Sequence, residues 1–173
     1  MREVRAAWEN GGMQRIWSVE SATQALGELR PIIALLRAQR RDLDAMKEHL
    51  LRLRRLERTG AMPGGTDQNQ LQLTDAAPAF RDALITGSML EMRIKGLVDQ
   101  MQGSVERVAR LGVELRDIER GLVDFPSQAF GRPFLLCWEE GDGESVLFAH
   151  ALGEGFAARL PIGAFLLQHA ERA

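Results

Sequence analysis

The chain has 173 residues, a formal net charge of −2, 45% hydrophobic and 27% charged residues, and one cysteine. That length and mixture suit one structural domain of ordinary globular composition. The small net charge excludes a whole-molecule field that would gather nucleic acid or an anionic membrane, no apolar run nears the roughly 18–20 residues of a membrane span, and a lone cysteine excludes an intrachain disulfide framework and a multi-cysteine zinc site.

The opening MREVRAAWENGGMQ lacks the apolar core of a signal peptide, so a cytoplasmic location is expected. Residues 1–12 show no periodicity and end in the breaker Asn10-Gly11-Gly12; they read as a disordered extension, with Met13 a second candidate start beside Met1. Arg15–Ser18 reads as a short strand running into a helix. Ser18 is the expected N-cap, and Glu20 in the first turn meets the positive end of the helix dipole.

From Ala22 to Leu56, apolar residues recur three or four apart: Ala22, Leu26, Leu29, Ile33, Leu36, Leu43, Met46, Leu50, Leu53 and Leu56. This is one face of a long helix, with Arg40 at the stripe position between Leu36 and Leu43. Pro31 predicts a kink or restart near Leu29–Pro31, since it lacks an N–H and crowds the preceding turn. Residues 59–75, rich in Gly, Pro and polar side chains, form a mobile loop, long for a helix-to-helix connection.

A second helix is expected from Pro78, on the stripe Phe80, Leu84, Leu90, Ile94, Leu97, Met101, Val105, Val108 and Leu111. Gly87, Gly96 and Gly103 inside it suggest close backbone approach, a bend or modest stability. Two long striped helices joined by one loop form an antiparallel, coiled-coil-like hairpin. A lone pair leaves part of each stripe uncovered, so a homo-oligomer assembled through the hairpin is expected.

Gly112 ends the helical part. Val113–Leu115, Leu122–Pro126, Pro133–Trp138 and Ser145–His150 read as short strands, with turns at Glu119–Gly121, Ala129–Gly131 and Glu140–Gly143. A turn at Pro161–Gly163 and a short helix over Ala164–Ala170 follow. The fold class is α+β: a short strand and helical hairpin over residues 13–111, packed on or attached to a small antiparallel meander with a terminal helix over 112–173, in one domain.

The pieces GVELRDIERGLVDFP, GRPFLLCW, His150 and GFAARLPI, with the opening IWSVESATQALGELRPI, resemble the bacterial family known as domain of unknown function 2203. The resemblance spans Ile16 to Ile162. It departs at Ser21, Thr23 and Gly27, where acidic, Asn and Pro residues are expected, and the segment after Ile162 looks like an addition. The resemblance supports the fold and the location but implies no established activity.

Several side chains could carry chemistry. Glu114, Asp117, Asp124 and His150 lie in the sheet region, and three carboxylates with one imidazole suit a divalent metal ion as cofactor. No metal-ligand spacing supports this set, and Glu114 and Asp117 cannot share a face of a regular strand. The structural alternative pairs these acids with Arg116, Arg120, Arg132 and Arg159. Cys137 would need a base such as His150 to act as a nucleophile, whereas the apolar run LLCW favours core packing. Asp124 interrupts an apolar strand and must find a partner, with Arg132 or His150 the candidates. Asp124, His150 and Cys137 are thus the candidate catalytic residues, and Asp124, Arg132, Trp138, His150 and Arg159 the candidate ligand-binding set.

Between Arg30 and Arg58 the first helix carries nine basic residues against four acidic ones. Without interleaved aromatics, a solvated and charge-paired face is favoured over a phosphate-binding one. The functional expectation is a cytoplasmic, homo-oligomeric binding or interaction protein with a small polar site on the sheet. A metal-dependent hydrolase or lyase-like enzyme using the carboxylate and histidine cluster is the alternative, and a nucleic-acid-associated protein using the basic helix face is a further one.

Overall fold

The computed structural model describes residues 15–59 and 87–171. The expected extension over residues 1–12, the loop over 59–75 apart from Thr59 and the start of the second helix at Pro78 lie outside these residues. The elements are α1 (Val19–Thr59), α2 (Gly87–Arg110), β1 (Glu114–Asp117), β2 (Leu122–Ala129), β3 (Arg132–Trp138), β4 (Phe148–Ala151), β5 (Leu160–Pro161) and α3 (Ile162–Glu171). The protein is α+β. Two compact units divide the described chain: residues 15–38 with 102–171, and Gln39–Met101.

Ser18 caps α1 as its type and position require. The Ser21 backbone N–H donates to Ser18 Oγ at 3.1 Å, and the Ser18 N–H donates back to Ser21 Oγ at 2.9 Å. Ser21 thus fills the reciprocal role usually held by Glu or Gln at this position. The segment Arg15–Ser18 is not a strand. Trp17 N donates to the Pro126 carbonyl at 2.8 Å, and Ser127 Oγ donates to the Trp17 carbonyl at 2.7 Å. One backbone contact and one side-chain contact hold the segment to β2 without a ladder. Nor does Pro31 restart the helix: α1 is continuous through it.

In the unit of Gln39–Met101 the two helix segments run antiparallel. Gln39 Nε2 donates to Gln100 Oε1 at 3.5 Å, and Arg54 pairs with Glu91 at 2.7 Å. The stripe passes through Gln39, which is buried, while Arg40 faces out and pairs with Asp44 four residues on. Shortening the step from Leu36 to three residues keeps the long cation in water. Among the described residues, a Cβ added at Gly96, or at Gly103 in the other unit, would meet nothing within 4 Å, so these glycines mark no close backbone approach there.

In the other unit, the five strands form an antiparallel meander in sequence order. Alternation divides each strand between two faces. Val123, Phe125, Leu136, Trp138 and Ala149 are fully buried and share one face by register. The start of α1 and Trp17 pack there: the Trp17 ring meets Phe125 edge-on at 5.3 Å, and Val146 N donates to Thr23 Oγ1 at 3.2 Å. On the same face Phe134 meets Phe165 of α3, ring centres 5.1 Å apart. The turn into β2 fits against α1 only as glycine. Gly121 has φ +64°, and a Cβ there would lie 2.9 Å from Ile33 Cγ2.

Candidate functional site

The opposite face of the sheet carries Asp124, Cys137 and His150. Register lines up Glu114, Asp124, Cys137, Phe148 and Pro161 in one row across all five strands. His150 stands two residues along β4 from Phe148, opposite Leu135. Asp124 and His150 lean over β3 until His150 Nε2 lies 3.3 Å from Asp124 Oδ1. One potential donor atom from each of Asp124, Cys137 and His150 lies within 4.8 Å of the other two, and all three residues are buried.

Two of the three, Asp124 and His150, are oriented by neighbours. The pairing of β1 with β2 is irregular between Leu115 and Asp117, and the intervening residue, Arg116, sends its Nε to Asp124 Oδ2 at 2.8 Å. Bulges re-aim a side chain in this way beside sites. Arg116 is in turn paired with Glu114. His150 Nδ1 lies 3.0 Å from the Ala151 carbonyl, which can only accept, so Nδ1 carries a hydrogen and Nε2 is the atom turned toward Asp124.

The electrostatics follow from burial and this geometry. Burial opposes a charge on His150, but the hydrogen bond and negative charge of Asp124 outweigh it and raise the imidazole pKa above its usual value. For Cys137, burial comes first, and the charge and hydrogen bond of Asp124 add to it, pushing the thiol up to about 12 despite the opposing pull of Arg159. A thiol so placed is not a thiolate at neutral pH, so Cys137 and His150 do not form an activated nucleophile pair.

A cleft of about 350 Å³ opens on this group. Leu122, Leu135 and Phe156 give it apolar surface, Asp124, Cys137, His150 and Arg116 give it polar chemistry, and the segment Gly153–Phe156 forms its remaining wall. That segment is pinned from outside. Arg159 donates to Asp142 at 2.7 and 3.0 Å and to Glu139 at 3.0 Å, and its guanidinium lies against the Phe148 and Phe156 rings. Arg120 stacks on Phe156 as well and binds the other oxygen of Glu139 at 2.7 Å. Stacked and bidentate guanidinium contacts of this kind need arginine rather than lysine.

Of the residues expected from the sequence, the structure brings together Asp124, Cys137 and His150. Glu114 and Asp117 are not among the converging donors: Glu114 pairs with Arg116, and Asp117 accepts the Arg120 backbone N–H at 3.0 Å in the following turn. Asp117 does share the row of Leu122, because the bulge breaks the two-residue alternation. Arg132 pairs across the ladder with Ala129 at the far end of the hairpin, so Asp124 is answered by His150 and Arg116. Trp138 lies on the opposite face, fully buried, its Nε1 donating to the Gly143 carbonyl at 3.0 Å. Arg159 sits beside Cys137 but is taken up by Asp142 and Glu139.

The basic face of α1 is charge-paired along much of its length. Arg30 meets Glu144, Arg37 meets Glu140, Arg40 meets Asp44, Arg52 meets Glu48 and Arg54 meets Glu91. Among the described residues, no helix is long and apolar enough to cross a membrane.

No curated protein and no solved structure matches the chain. The family described as uncharacterized conserved protein (DUF2203) matches residues 15–162, a span that takes in the whole meander and every residue of the converging group. The chain therefore belongs to that family.

Proposed function

We propose that the chain is a binding protein that takes a small polar ligand in the cleft over Asp124 and His150. One observation carries this reading: a buried, hydrogen-bonded carboxylate–imidazole pair stands at a 350 Å³ cleft with Leu122, Leu135 and Phe156 around it. Small-molecule sites combine apolar walls with a few convergent polar groups and measure about 300–1,000 Å³, so this cleft suits a ligand at the small end. The test is a thermal-shift screen with small organic acids, amines and sugars, run in parallel on the wild type and Asp124→Asn. The expected result is a ligand class that raises the melting temperature of the wild type and not of the variant. Equal shifts in both proteins, or none from any class, would overturn the reading.

The proposed assembly is a homo-oligomer through the hairpin. Its support is that Leu51 and Met92, large apolar side chains in the unit of Gln39–Met101, are exposed and suited to contact with a second copy. A monomeric mass by light scattering would remove that part of the proposal.

A further inference from the structure

We propose that Asp124 Oδ1, Cys137 Sγ and His150 Nε2 bind a single divalent transition-metal ion of the zinc class. The proposal rests on the reading of the cleft as a binding site and gives that site its chemistry. Three independent features of the geometry converge on it.

The first is the donor set. A carboxylate oxygen, a sulfur and an imidazole nitrogen come from three neighbouring strands, each within 4.8 Å of the other two. In a tetrahedral zinc site, bonds of about 2.0–2.3 Å place N, O and S donors about 3.4–3.6 Å apart. The 3.3 Å between His150 Nε2 and Asp124 Oδ1 is already close to that separation. The sulfur selects against magnesium and calcium and favours zinc, cobalt or a similar ion.

The second is orientation. His150 donates its Nδ1–H to the Ala151 carbonyl, so Nε2 is the atom facing Asp124 Oδ1. A histidine ligand is ordinarily fixed by such an outer hydrogen bond. Asp124 is held likewise: Arg116 occupies Oδ2 and leaves Oδ1 for the ion.

The third is access and charge. Three protein ligands opening on a cleft leave a fourth position for water or for the small ligand, the arrangement of reactive zinc sites rather than purely structural ones. On coordination the Cys137 thiol and the His150 Nε2–H facing Asp124 each release a proton to solvent, and carboxylate plus thiolate balance the two charges of the ion. The nearby cations do not upset this balance, since Arg116 is paired with Glu114 and Arg159 with Asp142 and Glu139.

Titration of the untagged, chelator-stripped full chain with Co²⁺, followed by Zn²⁺, tests the proposal. The expected result is saturation at one ion per chain, with the ligand-field bands of a four-coordinate ion and a thiolate-to-cobalt charge-transfer band. Zn²⁺ should then displace the cobalt. Cys137→Ser should lose the charge-transfer band, and Arg116→Gln should weaken binding about 10–100-fold while keeping it. No charge-transfer band in the wild type, or the same band in Cys137→Ser, would overturn the proposal and leave Asp124 and His150 as an ion pair. Small-molecule binding without Co²⁺ or Zn²⁺ binding would also overturn it, while leaving the cleft reading intact. Metal binding with no small-molecule response would support it and overturn the cleft reading instead.

Discussion

The two faces of the meander are built by the same strands from alternating residues, yet they do opposite things. Phe125, Leu136 and Trp138 point to one side and are fully buried, Phe125 against the Trp17 ring, with almost no polar atom to satisfy. Asp124, Cys137 and His150, each one step along the same strands or the next, point to the other side, where Arg116 answers Asp124 and the Ala151 carbonyl and Asp124 answer His150. Burial alone does not separate them, because both sets are below 4% exposed. The distinction is chemical. Apolar contacts are non-directional and serve stability, whereas a buried carboxylate, thiol and imidazole are tolerated only when geometry answers them.

If this division is right, the faces should respond differently to truncation. Phe125→Ala empties fully buried volume against Trp17 and should cost about 3–5 kcal/mol in urea unfolding, the largest effect expected. Asp124→Ala should cost less, about 2–3 kcal/mol, since Arg116 is a third exposed and keeps Glu114 as a partner. It should also abolish the ligand binding proposed for the cleft, which a well-folded Phe125→Leu should retain. Equal loss of binding in both would break the comparison. Gly121→Ala should cost about 1–3 kcal/mol through its left-handed backbone and the approach to Ile33, without touching the polar face.

The smallest expected effect is a gain, at a place belonging to neither face. The β2–β3 hairpin turns on Phe130 and Gly131, with φ of 52° and 73°. Positive φ at both turn residues is the type I′ pattern, in which Asn-Gly is preferred and a bulky first residue is strained. Phe130 is exposed, so Phe130→Asn should raise stability by about 1 kcal/mol in the same unfolding assay and leave binding unchanged.

The fold was largely legible in the sequence because period and punctuation report it directly. The three-and-four spacing from Ala22 to Leu56 marks α1, and Gly121, Gly131 and Gly143 end or join strands near the places their turn chemistry requires. Asp124 and His150 were legible as well, since an acid in an apolar strand needs an answer. The identity of one answering cation was not. Arg132 looked near, but a two-residue turn at Phe130-Gly131 fixes Arg132 opposite Ala129 and Cys137 opposite Asp124. That turn length, applied to the sequence, brings Cys137, already a catalytic candidate beside Asp124 and His150, into the candidate metal set as well. Arg116 was harder to foresee, because it depends on a bulge between Leu115 and Asp117 that no period-two pattern announces. The stripe slip from Arg40 to Gln39 has a similar origin: spacing allows either, and only the cost of burying a guanidinium decides.

The central claim is that register gathers three metal donors on the polar face of the sheet. Anomalous diffraction at the zinc edge, from crystals of the full chain grown with Zn²⁺, tests it most directly. The account predicts a single strong peak about 2.0–2.3 Å from Asp124 Oδ1, Cys137 Sγ and His150 Nε2. A cleft without a peak, with His150 Nε2 still resting on Asp124 Oδ1, would contradict it.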